Sequence, residues 1–235
     1  MQASDATIAA NVARVRDAID GAARTSGRTG SEVTIVAAVK YVDVDVCRAL
    51  VAAGVADLGE NRSAELERKQ SQLLAEPIAW HYIGRVQSRQ VVDIARRIGP
   101  GGAIHALTSE RAAAKLDRAA CDGLVLPRLL VQVNVAADPA KDGLAPEAVA
   151  PWLDALPDGI SVAGLMTMPA FADDPSASRP AFELLRELRD SLHERFRGRH
   201  PLTELSMGTT QDFRIAVEEG ATHVRLGRIL LDGEE

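Results

Sequence analysis

Residues 34–39, TIVAAV, are the β-branched and small residues of a buried strand, and the next residue, Lys40, carries an amine. The chain has four lysines, Lys40, Lys69, Lys115 and Lys141, and the last three sit among polar residues where a cation is unremarkable. A strand-end lysine can simply reach solvent with its ammonium. In a partly dry pocket its charged form is disfavoured instead, and the neutral amine can condense with a carbonyl. The second signal is SMGTTQDF at 206–213. Ser206, Thr209 and Thr210 carry hydroxyls and Gly208 is small, and they lead into a helical pattern whose first N–H groups suit an anion such as phosphate. VRLGRI at 224–229 places Arg225, Gly227 and Arg228 alongside, with Gly227 permitting close approach. An amine and a phosphate cradle together suit a carbonyl compound that carries a phosphate. Asn61 and Glu60 read equally well as helix caps, His81 as a hydrogen-bonded structural histidine, and Met166 and Met168 as packing.

These residues need elements to bring them together. Strand-like runs fall at 34–39, 56–59, 80–84, 103–108, 128–135, 161–168, 204–208 and 222–227, with helical patterns between them. Eight strands alternating with helices predict an α/β fold, a (β/α)8 TIM-type barrel, rather than an open doubly wound sheet. No glycine-rich dinucleotide fingerprint follows the first strand. In such a barrel the C-terminal strand ends form the site, and Lys40, Asn61, Ser206 and Arg225 all sit at or near them. Only RILLDGEE follows the eighth strand, so an extra N-terminal helix, with Ile8, Val12, Val15 and Ile19 on one stripe, is expected to cover the gap. One domain over 1–235 is expected. Pyridoxal 5′-phosphate (PLP) fits this arrangement, and so does a sugar phosphate in a lysine-dependent aldolase.

The net charge of −6 argues against broad nucleic-acid binding. No apolar run approaches a membrane span, and the N-terminus lacks a secretory pattern. Cys47 and Cys121 are expected to be reduced and buried, in keeping with a cytoplasmic protein. A monomer is expected, and no grouping has metal-ligand spacing.

Several motifs, in order along nearly the whole chain, resemble the pyridoxal phosphate homeostasis protein family, relatives of the alanine racemase barrel. They are AAVKY at 37–41, LGEN at 58–61, WHYIGRVQS at 80–88, LVQVNVAADPAKDG at 130–143, GLMTMP at 164–169, LSMGTTQDF at 205–213 and VRLGRILL at 224–231. Val39 and Tyr41 depart from the family's Ser and Thr around the lysine, and Thr209-Thr210 from its Met-Ser. The resemblance implies that PLP forms an internal aldimine with Lys40. Ser206, the loop of Gly208, Thr209 and Thr210, and the N–H groups of Gly227 and Arg228 would hold its phosphate. Arg225 would face the pyridine nitrogen, and Asn61 and His81 would line the pocket. It further implies a vitamin B6 carrier that delivers PLP to apo-enzymes without robust catalysis. A PLP enzyme such as an amino-acid racemase is the alternative. Tyr41, next to Lys40 on a strand, is expected to point to the opposite face.

Overall fold

Period-2 alternation with apolar residues on one phase makes short strands, and the helices between them force parallel pairing. In the computed structural model, which describes residues 4–136, 141–169 and 172–232, this produces a closed barrel. Its strands, in order around the barrel, are β1 (Thr34–Ala38), β2 (Asp57–Glu60), β3 (Ala79–Tyr82), β4 (Ala103–Leu107), β5 (Arg128–Gln132), β6 (Gly164–Met166), β7 (Glu204–Ser206) and β8 (His223–Leu226). β1 closes the ring by pairing with β8, from Thr34 opposite His223 to Ala37 opposite Leu226. β5 and β6 end earlier than their apolar runs. At the last residue of β5, the Gln132 side-chain amide turns aside to donate to the Asp142 carbonyl.

The outward phase of each strand, with Ile35, Leu58, Ile104, Leu129, Leu165 and Leu205, packs under the helices in one large apolar layer. Burying each such side chain contributes roughly 1.5–3 kcal/mol. The inward phase differs. Among the described residues its apolar cluster is small, formed by Ala103, Ala106, Leu130 and Met166. Polar groups occupy much of the rest, with His81, His105, Ser206, His223 and Arg225 all buried.

The helices are α1 (Asp5–Thr25), α2 (Val44–Ala52), α3 (Ser63–Gln72), α4 (Val91–Ile98), α5 (Glu110–Cys121), α6 (Pro146–Asp154), α7 (Arg179–Phe196), α8 (Phe213–Glu218) and α9 (Arg228–Leu231). Ser4 caps α1 by accepting from the Thr7 N–H, and the expected stripe Ile8, Val12, Val15 and Ile19 is buried. α9 is a single turn, too short to cover its flank of the barrel. α1 packs against α2, α8 and α9 and fills the gap. Buried Asn11 fastens it by donating to the carbonyls of Leu230 and Leu231.

Cys47 is buried, and burial pushes its thiol up to about 11; Cys121 is exposed, against expectation, because it ends α5 on the solvent side. Met168 is also exposed rather than packed, since β6 stops at Met166 and the chain has already left the barrel. Among the described residues no helix is long and apolar enough to cross a membrane. Residues 137–140, within the motif at 130–143, and residues 170–171 lie outside the described residues.

Candidate functional site

A cleft of about 570 Å³ opens at the C-terminal end of the barrel, between the ends of β1, β7 and β8. Lys40 and Tyr41 form one wall, Thr209, Thr210 and Gln211 another, and Arg225, Gly227 and Arg228 the third. Six of the ten expected site residues therefore meet here: Lys40, Thr209, Thr210, Arg225, Gly227 and Arg228.

Lys40 lies two residues beyond the end of β1, in a turn, and is half-buried. That turn corrects the expectation for Tyr41. Alternation holds only inside a strand, and β1 ends at Ala38. Tyr41 shares the cleft with Lys40, whose ammonium nitrogen is 5.1 Å from the centre of the tyrosine ring.

The loop after β7 depends on Gly208. Its φ of +93° is unfavourable for other residues, and an added Cβ would lie 2.6 Å from the Ala216 Cβ. Gly208 shapes the loop from beneath, its carbonyl accepting from the Arg225 N–H, and does not reach the cleft wall. The Thr209 N–H donates to the Asp212 carboxylate at 2.7 Å, so that donor is already engaged. The N–H groups of Thr210 and Arg228 have no hydrogen-bond partner among the described residues. Together with the Thr210 hydroxyl, 3.4 Å from the Gly227 nitrogen, they are the donors available to an anion.

Arg225 sits at the floor, almost wholly buried. Burial pulls its guanidinium down to about 10, partly offset by Asp212, so it remains charged at neutral pH. Nη2 donates to the Thr167 carbonyl at 2.9 Å and Nη1 to Ser206 Oγ at 2.6 Å. Ser206 is accordingly not on the cleft wall. It is fully buried beneath Arg225, and its oxygen faces the arginine and His105. His81 is deeper still. Both ring nitrogens are engaged, Nδ1 with His105 and Nε2 with Asp57, so it does not line the cleft. The reason is register: His81 pairs with Gly59 and Ala103 in mid-barrel, below the strand ends.

Asn61 follows β2 and lies off the cleft wall. Its Oδ1 is buried without a hydrogen-bond partner among the described residues. Glu60 and Asn61 do not cap α3. Instead the Glu60 carboxylate accepts from the Asn61 N–H and from Lys69. Lys69 corrects the reading of the lysines: it is the most buried of the four, 1% exposed, with its ammonium 2.5 Å from Glu60 and hydrogen-bonded to the Val39 carbonyl. One buried ion pair thus holds the backbone before Lys40 and the backbone of Asn61 together. Lys69 shares one face of α3 with buried Leu66, three positions before it, but one such pair is too short a pattern to single the lysine out in the sequence.

An amine, a guanidinium and anion-binding donors fit the aldehyde, ring nitrogen and phosphate of PLP. Fold and site together define a lysine-bearing barrel of the alanine racemase type. Residues 6–234 match the family described as alanine racemase, N-terminal domain. The chain is 34% identical over 222 residues to the pyridoxal phosphate homeostasis protein of Aquifex aeolicus, covering 93% of this chain and 95% of the relative. It is 34% identical over 232 residues to that of Pseudomonas aeruginosa, covering 97% and 96%. The structure of PipY from Synechococcus elongatus PCC7942 with PLP bound superposes with a TM-score of 0.79 at 29% identity, over 95% of this chain and 99% of PipY. The chain belongs to the pyridoxal phosphate homeostasis protein family.

Proposed function

We propose that this protein binds PLP in the cleft as an internal aldimine on Lys40 and serves PLP homeostasis in the cytoplasm, as a monomeric single domain that releases the cofactor to apo-enzymes. The observation that carries this reading is that Lys40 and Arg225 line one cleft, in a chain so similar to PLP homeostasis proteins. When bound, PLP supplies an electrophilic aldehyde and an electron-withdrawing ring. Lys40 supplies the amine that fixes it. Thr210 and the N–H groups of Thr210 and Arg228 hold the phosphate, and Arg225 faces the ring nitrogen. Because arginine keeps its proton at neutral pH, it donates a hydrogen bond without protonating the ring, which keeps the ring a weak electron sink.

The test is an absorbance spectrum of PLP-loaded protein before and after borohydride, with mass mapping of the modified lysine. A band that reduction removes, with the label on Lys40, is expected. A label chiefly on Lys69, Lys115 or Lys141 overturns the assignment.

Racemisation needs a base on each face of the reacting carbon, and Tyr41 stands on the same side as Lys40, which counts against the racemase reading. Incubation with L-alanine in deuterium oxide decides: rapid formation of α-deuterated D-alanine, lost in Lys40→Ala, would establish catalysis.

A further inference from the structure

A line of hydrogen bonds crosses the inside of the barrel below the cleft. Arg225 Nη1 lies 2.6 Å from Ser206 Oγ, and Ser206 Oγ lies 2.8 Å from His105 Nδ1. His105 Nε2 lies 2.8 Å from His81 Nδ1, and His81 Nε2 lies 2.9 Å from Asp57 Oδ1 at the far end, where the aspartate is partly exposed. The three middle residues have no solvent exposure.

The chemistry of the two ends orients every bond. Arginine only donates, so Ser206 Oγ accepts from it. The single Ser206 proton then goes to His105 Nδ1. His105 carries its proton on Nε2 and donates to His81 Nδ1, and His81 carries its proton on Nε2 and donates to the Asp57 carboxylate. The reverse order would make His81 a cation and leave the buried Ser206 proton with no acceptor among these groups. Burial also holds His105 well below the ordinary histidine range, in keeping with a neutral ring.

We propose that Ser206, His105, His81 and Asp57 form a positioning relay that clamps the Arg225 guanidinium and aims its remaining N–H bonds at the ring nitrogen of the bound cofactor. This rests on the PLP reading above and assigns Ser206 to the ring rather than to the phosphate. Asp57 anchors the relay, the two histidines transmit its orientation as fixed tautomers, and Ser206 presents an oxygen that holds one arm of the arginine. The Thr167 carbonyl holds the other.

Two measurements test it. The first uses the unliganded protein: nitrogen-15 NMR of the histidine rings should show His105 and His81 each neutral and protonated at Nε2. Protonation of His105 at Nδ1 would overturn the relay. The second compares dissociation constants for PLP and for 1-deaza-PLP, in which carbon replaces the ring nitrogen, across wild type, Ser206→Ala and His81→Phe. Loss of a hydrogen bond to a charged group should weaken PLP roughly tenfold, with 1-deaza-PLP unchanged. Equal weakening of both ligands in Ser206→Ala would return that hydroxyl to the phosphate and sink the proposal, as would unchanged PLP affinity. If wild type takes up no PLP on Lys40, the functional reading itself fails, while the NMR measurement still decides the direction of the relay.

Discussion

Two lysines beside the same stretch of backbone do opposite things. Lys40 lines an open cleft, whereas Lys69 is sealed against Glu60 and the Val39 carbonyl. Lys40→Ala should abolish the PLP absorbance band that borohydride removes, while weaker binding through the phosphate donors persists; spectroscopy and equilibrium dialysis check the two separately. Lys69→Met should behave quite differently. It leaves the Glu60 carboxylate buried without its partner, which typically costs about 3–5 kcal/mol. Urea unfolding should show that loss, and adding Glu60→Gln to the same variant should recover much of it. An unchanged urea midpoint in Lys69→Met would mean that the pair does not hold the Val39 and Asn61 backbones in place.

The shortest elements carry the cleft. α9 is one turn long, and Arg228 at its start is on the cleft wall. A single turn is not stable alone, so α9 depends on α1 and on the two carbonyls that Asn11 satisfies. Asn11→Ala should cost about 1–3 kcal/mol by stranding those groups. It should also speed amide exchange in α9 more than in α5 on the other side of the barrel. At the loop after β7, Gly208→Ala should cost about 2 kcal/mol or more, because the left-handed backbone penalty of about 1–2 kcal/mol adds to the contact with Ala216. A thermal melt of the variant measures it; a melting temperature equal to wild type would show that the loop has room to move.

Across the whole molecule, the polar barrel interior makes stability depend on pH. Burial holds His223 down at about 3, with His81 and Arg128 opposing its protonation further and Asp57 favouring it. His105 is held well below 6.5, first by burial and then by His81, His223, Arg225 and Arg128. His200, against α6, is lowered by burial. In the unfolded chain these rings titrate near 6.5. Between that value and the folded ones the unfolded state binds more protons, so stability rises with pH in this window and is lost as pH falls from about 6.5 toward 3. Each ring that stays neutral when folded contributes a slope of about 1.4 kcal/mol per pH unit. Urea midpoints between pH 7 and pH 4 should fall accordingly, and His223→Gln should flatten the slope. A pH-independent midpoint would contradict the buried neutral rings.

The eight strands, their order and the covering role of α1 were legible because each is written in local pattern: short apolar, β-branched runs for strands, a stripe of every third or fourth residue for α1. Lys40, Arg225 and the loop at 208–210 were legible because glycine, hydroxyls and a strand-end amine are chemically conspicuous. The depth of each side chain was not. Ser206 and His81 stand near strand ends in sequence, yet the stagger of neighbouring strands sets them below the cleft floor. Nor could sequence show that Lys69 points inward, that Tyr41 escapes strand alternation, or that His105 completes a line from Asp57 to Arg225. Local pattern determines which element a residue joins and which face it takes. How far along the barrel axis that face lies, and what meets it there from strands a hundred residues away, is set by the closure of the barrel, and only the tertiary structure decides it.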